Sequence, residues 1–108
     1  MQVLDLMDGL EWHESGSAGR AQALQYDRQG RRALRWTLRS GQVVKEFVTD
    51  QTPIHLVVLL GEGMFTGGDG KEHRLGPNSL IIFDEGEPHS ARAISNLVFV
   101  AFLHDART

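Results

Sequence analysis

The stretch Met64-Phe65-Thr66-Gly67-Gly68-Asp69-Gly70-Lys71-Glu72-His73-Arg74-Leu75-Gly76-Pro77-Asn78-Ser79-Leu80-Ile81-Ile82-Phe83 decides the fold class. Gly67-Gly68-Asp69-Gly70 offers several positions for positive φ in one short run, which a tight hairpin requires. Gly76-Pro77-Asn78 makes a second turn, because asparagine tolerates the left-handed conformation. The segments between, 64–66, 71–75 and 79–83, are too short for helices. They read as strands.

The same punctuation extends in both directions. Arg32–Leu38 alternates, with Leu34, Trp36 and Leu38 on one face and Ala33, Arg35 and Thr37 on the other, a period of two that marks a half-buried strand. Further strands are expected over 21–26, 42–49, Ile54–Leu60, 88–93 and Leu97–Leu103. The one weak helical candidate, residues 3–12, is interrupted by Gly9. About nine strands at the roughly 8–12-residue spacing of all-β domains, with no helix between them, exclude a βαβ architecture and favour a sandwich or barrel. The expected organisation is one domain over 1–108, with an N-terminal extension at 1–20 and a β-barrel core at 21–104.

Composition narrows the function classes. The chain has 108 residues, 41% of them hydrophobic and 23% charged, which suits a folded globule rather than a disordered tail. A formal charge of −3 without a basic patch argues against nucleic-acid binding. The absence of cysteine removes disulfides, thiolate metal sites and cysteine nucleophiles. The acidic N-terminus lacks the basic start of a secretory signal. The apolar run Leu97–Leu103 falls far short of the roughly 20 residues a membrane helix needs. No membrane partner and a cytoplasmic location are expected.

Two stretches resemble the paired motifs of the cupin superfamily, whose fold is a double-stranded β-helix of the jelly-roll kind. The first family motif is G-x5-H-x-H-x4-E-x6-G. Gly41, Phe47, Thr49, Ile54 and Gly61 keep its spacing throughout. The second motif is G-x5-P-x-G-x2-H-x3-N. There Asn78 and Asp84 take the Gly and Pro positions, Gly86 and His89 match, and Ala93 stands at the final Asn. The resemblance runs from about Arg32 to Phe102 and implies an all-β jelly-roll barrel.

In the family, two histidines and a glutamate from the first motif join the histidine of the second around one metal ion. The matching positions here hold Phe47, Thr49, Ile54 and His89. Phenylalanine and isoleucine coordinate nothing, and a threonine hydroxyl is a poor ligand for a transition metal. The resemblance therefore implies the fold without the usual metal chemistry, and no cofactor is expected. His55 and His89 are the two weak metal candidates, although period two turns His55 away from Ile54.

A ligand pocket is expected from Trp36, Phe47, Thr49, Ile54, Met64 and His89, an apolar cavity with His89 and Thr49 as polar contacts. Such a site suits a small organic ligand with one polar end. His89 is the one candidate for a catalytic residue, since an imidazole titrates near neutrality. Asp84, Glu85 and Glu87 approach it in sequence and are read as a charged loop at the rim, with the alternative that one orients His89. Lys45 and Thr49 share the parity of Phe47, which would turn them toward the same pocket, and Lys45 is placed at its mouth with the ammonium in water. Arg31, Arg32 and Arg35 are read as a solvated strand face, and His13, His73 and His104 as solvated or locally bonded. The leading expectation is a metal-free cupin that binds a small organic molecule. The alternatives are a metal-independent sugar isomerase or epimerase using His89 and, behind it, a metal-dependent dioxygenase. A homodimer is expected, because Ile54–Leu60 and Leu97–Leu103 are each apolar on two faces. Residues 3–10 are the alternative cover for one of those faces.

Overall fold

The computed structural model describes residues 1–25, 32–47 and 53–103, with the side chains at 25, 32, 46 and 47 outside the description. Nine strands follow one another: β1 Arg20–Gln25, β2 Arg32–Leu38, β3 Val43–Phe47, β4 Ile54–Leu60, β5 Gly63–Thr66, β6 Glu72–Leu75, β7 Leu80–Phe83, β8 His89–Ala93 and β9 Leu97–Leu103. All named pairings are antiparallel. They form a five-stranded sheet in the order β1-β2-β9-β4-β7 and a four-stranded sheet in the order β3-β8-β5-β6. The all-β reading holds. No helix occurs among the described residues, so the weak helical candidate at 3–12 is replaced by turns and extended chain, and no helix is long and apolar enough to cross a membrane.

Turn chemistry sets where the strands stop. Gly61 lies at φ 79 between β4 and β5, and a Cβ there would collide with the Asn96 carbonyl oxygen, so only glycine fits. Asn78, at φ 71, makes the turn into β7 expected of it.

Alternation then divides the residues between faces. Inward lie Leu38, Val44, Ile54, Leu56, Val58, Phe65, Phe83, Leu97 and Phe99, which form the buried core. Phe65 and Phe99 meet edge to face at 5.6 Å, tying the two sheets together.

The outer face of the five-stranded sheet explains the second apolar face of β9. Val98 and Val100 are fully buried there, opposite Thr37 and Arg35 of β2. Over this region lies an N-terminal strap, held by buried polar side chains. Arg35 donates to the carbonyls of Leu6, Asp8 and Gly9 and to Gln22 Oε1. Thr37 Oγ1 donates to the Glu11 carbonyl, and Gln42 Nε2 to that of His13. Arg35 is only 3% exposed. The solvated strand face expected for it is thus corrected: a guanidinium can be buried where a fork of carbonyls receives its protons.

Candidate functional site

The interior between the sheets is lined by Trp36, Val44, Ile54, Leu56, Phe65, Phe83, His89, Ser90, Ala91, Phe99 and Ala101. Its free volume is about 20 Å³, the room of about one water molecule. Side chains fill the barrel.

His89 is the one titratable group among the described residues lining this space, and it is 4% exposed. Two contacts with described residues orient it. Its ring stacks on Phe83 with centroids 4.4 Å apart and planes 16° apart. Its Nδ1 lies 2.9 Å from the Glu87 carbonyl oxygen. A carbonyl only accepts, so Nδ1 carries the hydrogen, and in that neutral tautomer Nε2 is the acceptor. Nε2 is itself buried. The arrangement is a ring nitrogen of fixed orientation in a wall that is mostly apolar, with Ser90 and Trp36 its other polar-bearing residues.

Glu87 does this through its main chain. Its carboxylate instead accepts from the Gly68 N–H at 2.8 Å and the Asp84 N–H at 2.9 Å, joining the β5–β6 hairpin to the β7–β8 loop. These two backbone donors, Gly68 first, hold the Glu87 carboxyl below the usual carboxylate range. Glycine at 67 permits the approach, since a Cβ there would meet Glu87 Oε2 at 2.6 Å. Asp84 and Glu85 stay exposed at the rim.

Of the residues expected in the pocket, Trp36, Ile54 and His89 line it. Thr49 and the Phe47 side chain fall outside the described residues, although the Phe47 backbone pairs with His89. Met64 is a correction. Gly63 and Phe65 are buried, so Met64 points outward, between its strand partners Arg74 and Arg92, and Phe65 takes the interior place. Val44, not Lys45, faces inward on β3, and the register shifts between Val44 and Phe47. Such a bulge breaks the simple parity that linked Lys45 to Phe47. Phe83 and the Glu87 carbonyl carry no sequence signal of their own. They become visible only once β7 and β8 are placed.

His55 cannot rebuild a metal centre with His89. It pairs with Ile82 and Phe102 on the outer face, whereas Ile54 points inward at 2% exposure. Among the described residues no group of three or more His, Cys, Asp or Glu is placed to hold a metal ion. At the glutamate position of the family motif the cavity wall is the hydrocarbon of Ile54, and Phe47 brings no donor atom to another. The donor set does not fit the family's metal.

Two antiparallel sheets of five and four strands, closing on one oriented imidazole, define a small double-stranded β-helix barrel. The family model for the cupin domain matches residues 34–103, and the chain belongs to that family. Solved structures agree in fold. A conserved protein with a double-stranded β-helix domain from Klebsiella pneumoniae is similar at a TM-score of 0.83 and 16% identity, over 99% of this chain and 92% of its own. TT1209 from Thermus thermophilus gives 0.81 and 20%, over 96% and 98%. An rmlC-like cupin protein from Desulfovibrio desulfuricans gives 0.80 and 18%, over 94% and 95%. A search of curated proteins returns no match.

Proposed function

We propose that this cupin is a metal-independent binding protein whose barrel takes a small, largely apolar molecule carrying one hydrogen-bond donor. The donor is received by His89 Nε2. The observation that carries the reading is the fixed imidazole: stacked on Phe83 and held through Nδ1 by the Glu87 carbonyl, it offers an oriented acceptor among mostly apolar walls. The narrow interior limits the ligand to few atoms or requires the sheets to part as it enters. An isomerase or epimerase would need a second acid or base on the substrate's other side, and the described cavity walls bring none beside His89.

A matched pair of fragments tests the proposal. Phenol and toluene differ chiefly in the donor. Phenol is expected to perturb the His89 imidazole resonances and raise the melting temperature, and toluene to do markedly less. His89→Phe should abolish the difference. Equal responses to the two fragments, or a phenol response unchanged in His89→Phe, would overturn it.

A further inference from the structure

We propose that the ligand enters the barrel between the β5–β6 hairpin and the β7–β8 loop, and that the Glu87 carboxylate is the latch that keeps this entrance shut. The gate rests on the reading of the interior as a binding site and adds how that site is reached. The interior holds about 20 Å³, the room of about one water molecule. A ligand of several heavy atoms is admitted only when the walls part, and where they part depends on how the two sheets are tied.

At one end of the barrel the connections between strands are joined main chain to main chain. Gly41 N–H donates to the Ala93 carbonyl, Ile94 N–H to that of Glu62 and Asn78 N–H to that of Val58. Such bonds open only when the strands beside them move. At the other end, among the described residues, a hydrogen-bonded tie runs through a side chain. Glu87 Oε2 accepts from the Gly68 N–H, in the hairpin of the four-stranded sheet. Glu87 Oε1 accepts from the Asp84 N–H, just past β7 of the five-stranded sheet. Rotation of one half-buried carboxylate into water releases both.

What the latch covers is the site itself. A Cβ at Gly67 would stand 3.7 Å from Phe83 Cε1, so the hairpin lies against the ring on which His89 stacks. The hairpin tip holds itself together, with Gly70 N–H donating to the Gly67 carbonyl and Lys71 N–H to Asp69 Oδ1. In the β7–β8 loop Glu87 N–H likewise donates to the Asp84 carbonyl. Each side of the seam therefore keeps its own turn when the bonds across it break. Glu87 also aims the His89 ring through its main-chain carbonyl. Closing the entrance and orienting the imidazole are one event, so a ligand is gripped as it is enclosed.

A covalent latch tests the gate. Gly68 lies outside the positive-φ region, and a Cβ there would stand 3.1 Å from Glu87 Cγ. That places residues 68 and 87 within reach of a disulfide, whose Cβ atoms lie about 3.5–4.5 Å apart. In Gly68→Cys/Glu87→Cys, made in a chain that otherwise has no cysteine, oxidation shuts the entrance and reduction leaves it without its carboxylate. Diethyl pyrocarbonate acylates a histidine nitrogen it can reach, and so reads access to His89 without any ligand. Peptide mapping should show His89 labelled at least about tenfold faster in the reduced form than in the oxidised one, with wild type between them. Exposed His13 and His73 should label alike throughout. Glu87→Ala should label His89 as fast as the reduced pair does. The effect of phenol on the His89 resonances should vanish on oxidation and return on reduction. Equal His89 labelling in the oxidised and reduced forms, or a Glu87→Ala variant no faster than wild type, would overturn the gate even where phenol binds. Gated labelling with no phenol response in wild type or the reduced pair would uphold the gate and overturn the binding reading instead.

Discussion

Phe83 and His89 lie on β7 and β8, strands of different sheets, and their rings stack 16° from parallel at 4.4 Å. The contact bridges the two sheets. It places the imidazole's flat face on hydrocarbon and leaves only its edge for hydrogen bonding. His89 is therefore both a wall element and a polar point.

Removing the lower ring should be costly. Phe83 is buried, and Phe83→Ala should destabilise the fold by about 3–5 kcal/mol through lost transfer energy and the cavity left behind. Phe83→Leu should cost about 1–1.5 kcal/mol, as a change that nearly conserves volume. Urea unfolding followed by tryptophan fluorescence measures both. Nitrogen NMR of the histidine side chains should show the hydrogen of neutral His89 on Nδ1, where the Glu87 carbonyl receives it.

The strap should depend on one guanidinium. Arg35 satisfies acceptors on Leu6, Asp8, Gly9 and Gln22 at once, a fork that a single ammonium cannot reproduce. Arg35→Lys should keep the barrel but loosen residues 1–16, and Arg35→Ala should release them at a cost of about 2–3 kcal/mol. Limited proteolysis gives the readout. Cleavage near the N-terminus should accelerate in the order wild type, Arg35→Lys, Arg35→Ala, while the core stays resistant. Equal cleavage in all three would show that the strap is held by its apolar contacts.

The sequence made the strands legible and left much of the site hidden, for a physical reason in each case. Period two in Arg32–Leu38 and the turns at Gly67 and Asn78 are local signals, and they place β2, β6 and β7 to within a residue or so. Met64 faces outward, which its sequence hides because parity has no anchor in a four-residue strand that begins at Gly63 and runs into Gly67. Lys45 was linked to Phe47 by parity, and the shift after Val44 undoes that link. Arg35 reads as solvated in its own strand because the carbonyls it binds stand 26–29 residues earlier. His89 was identified by its motif, yet its orientation depends on Phe83 and on a main-chain carbonyl that no side-chain pattern encodes.

Acid should loosen the rim before it unfolds the barrel. The Glu87 carboxyl is held below its ordinary value of 4.5 by the Gly68 and Asp84 N–H groups. A carboxyl with a lowered value in the folded state contributes stability that is fully present above the unfolded value and is lost as the pH falls through the folded one. Hydrogen exchange at the Gly68 and Asp84 amides should therefore gain an acid-dependent opening below about pH 4.5, relative to neighbouring hairpin amides. Glu87→Gln should remove that dependence and leave both amides less protected at neutral pH. Identical acid profiles in wild type and Glu87→Gln would rule the latch out.

Metal binding should be recoverable by restoring the family's donors. Phe47, Thr49 and Ile54 keep the motif spacing in sequence, so restoring the donors needs substitutions only, with no insertion or deletion. The triple variant Phe47→His, Thr49→His, Ile54→Glu supplies three donors to join His89. In the apo form it should be less stable than wild type, because a carboxylate replaces a 2%-exposed isoleucine among Leu56, Phe83 and Ala101. Zinc or nickel should offset that loss, raising the melting temperature of the variant with metal concentration and leaving wild type unmoved. Affinity should be modest, since the walls supply few hydrogen-bond partners to orient the new imidazoles. The Nδ1 contact of His89 with Glu87 already presents Nε2 as the coordinating nitrogen, so the fourth ligand needs no reorientation. His89→Gln in the same background should remove the metal response. A wild type that itself binds zinc or nickel stoichiometrically in equilibrium dialysis would show that the chain holds metal with a different donor set.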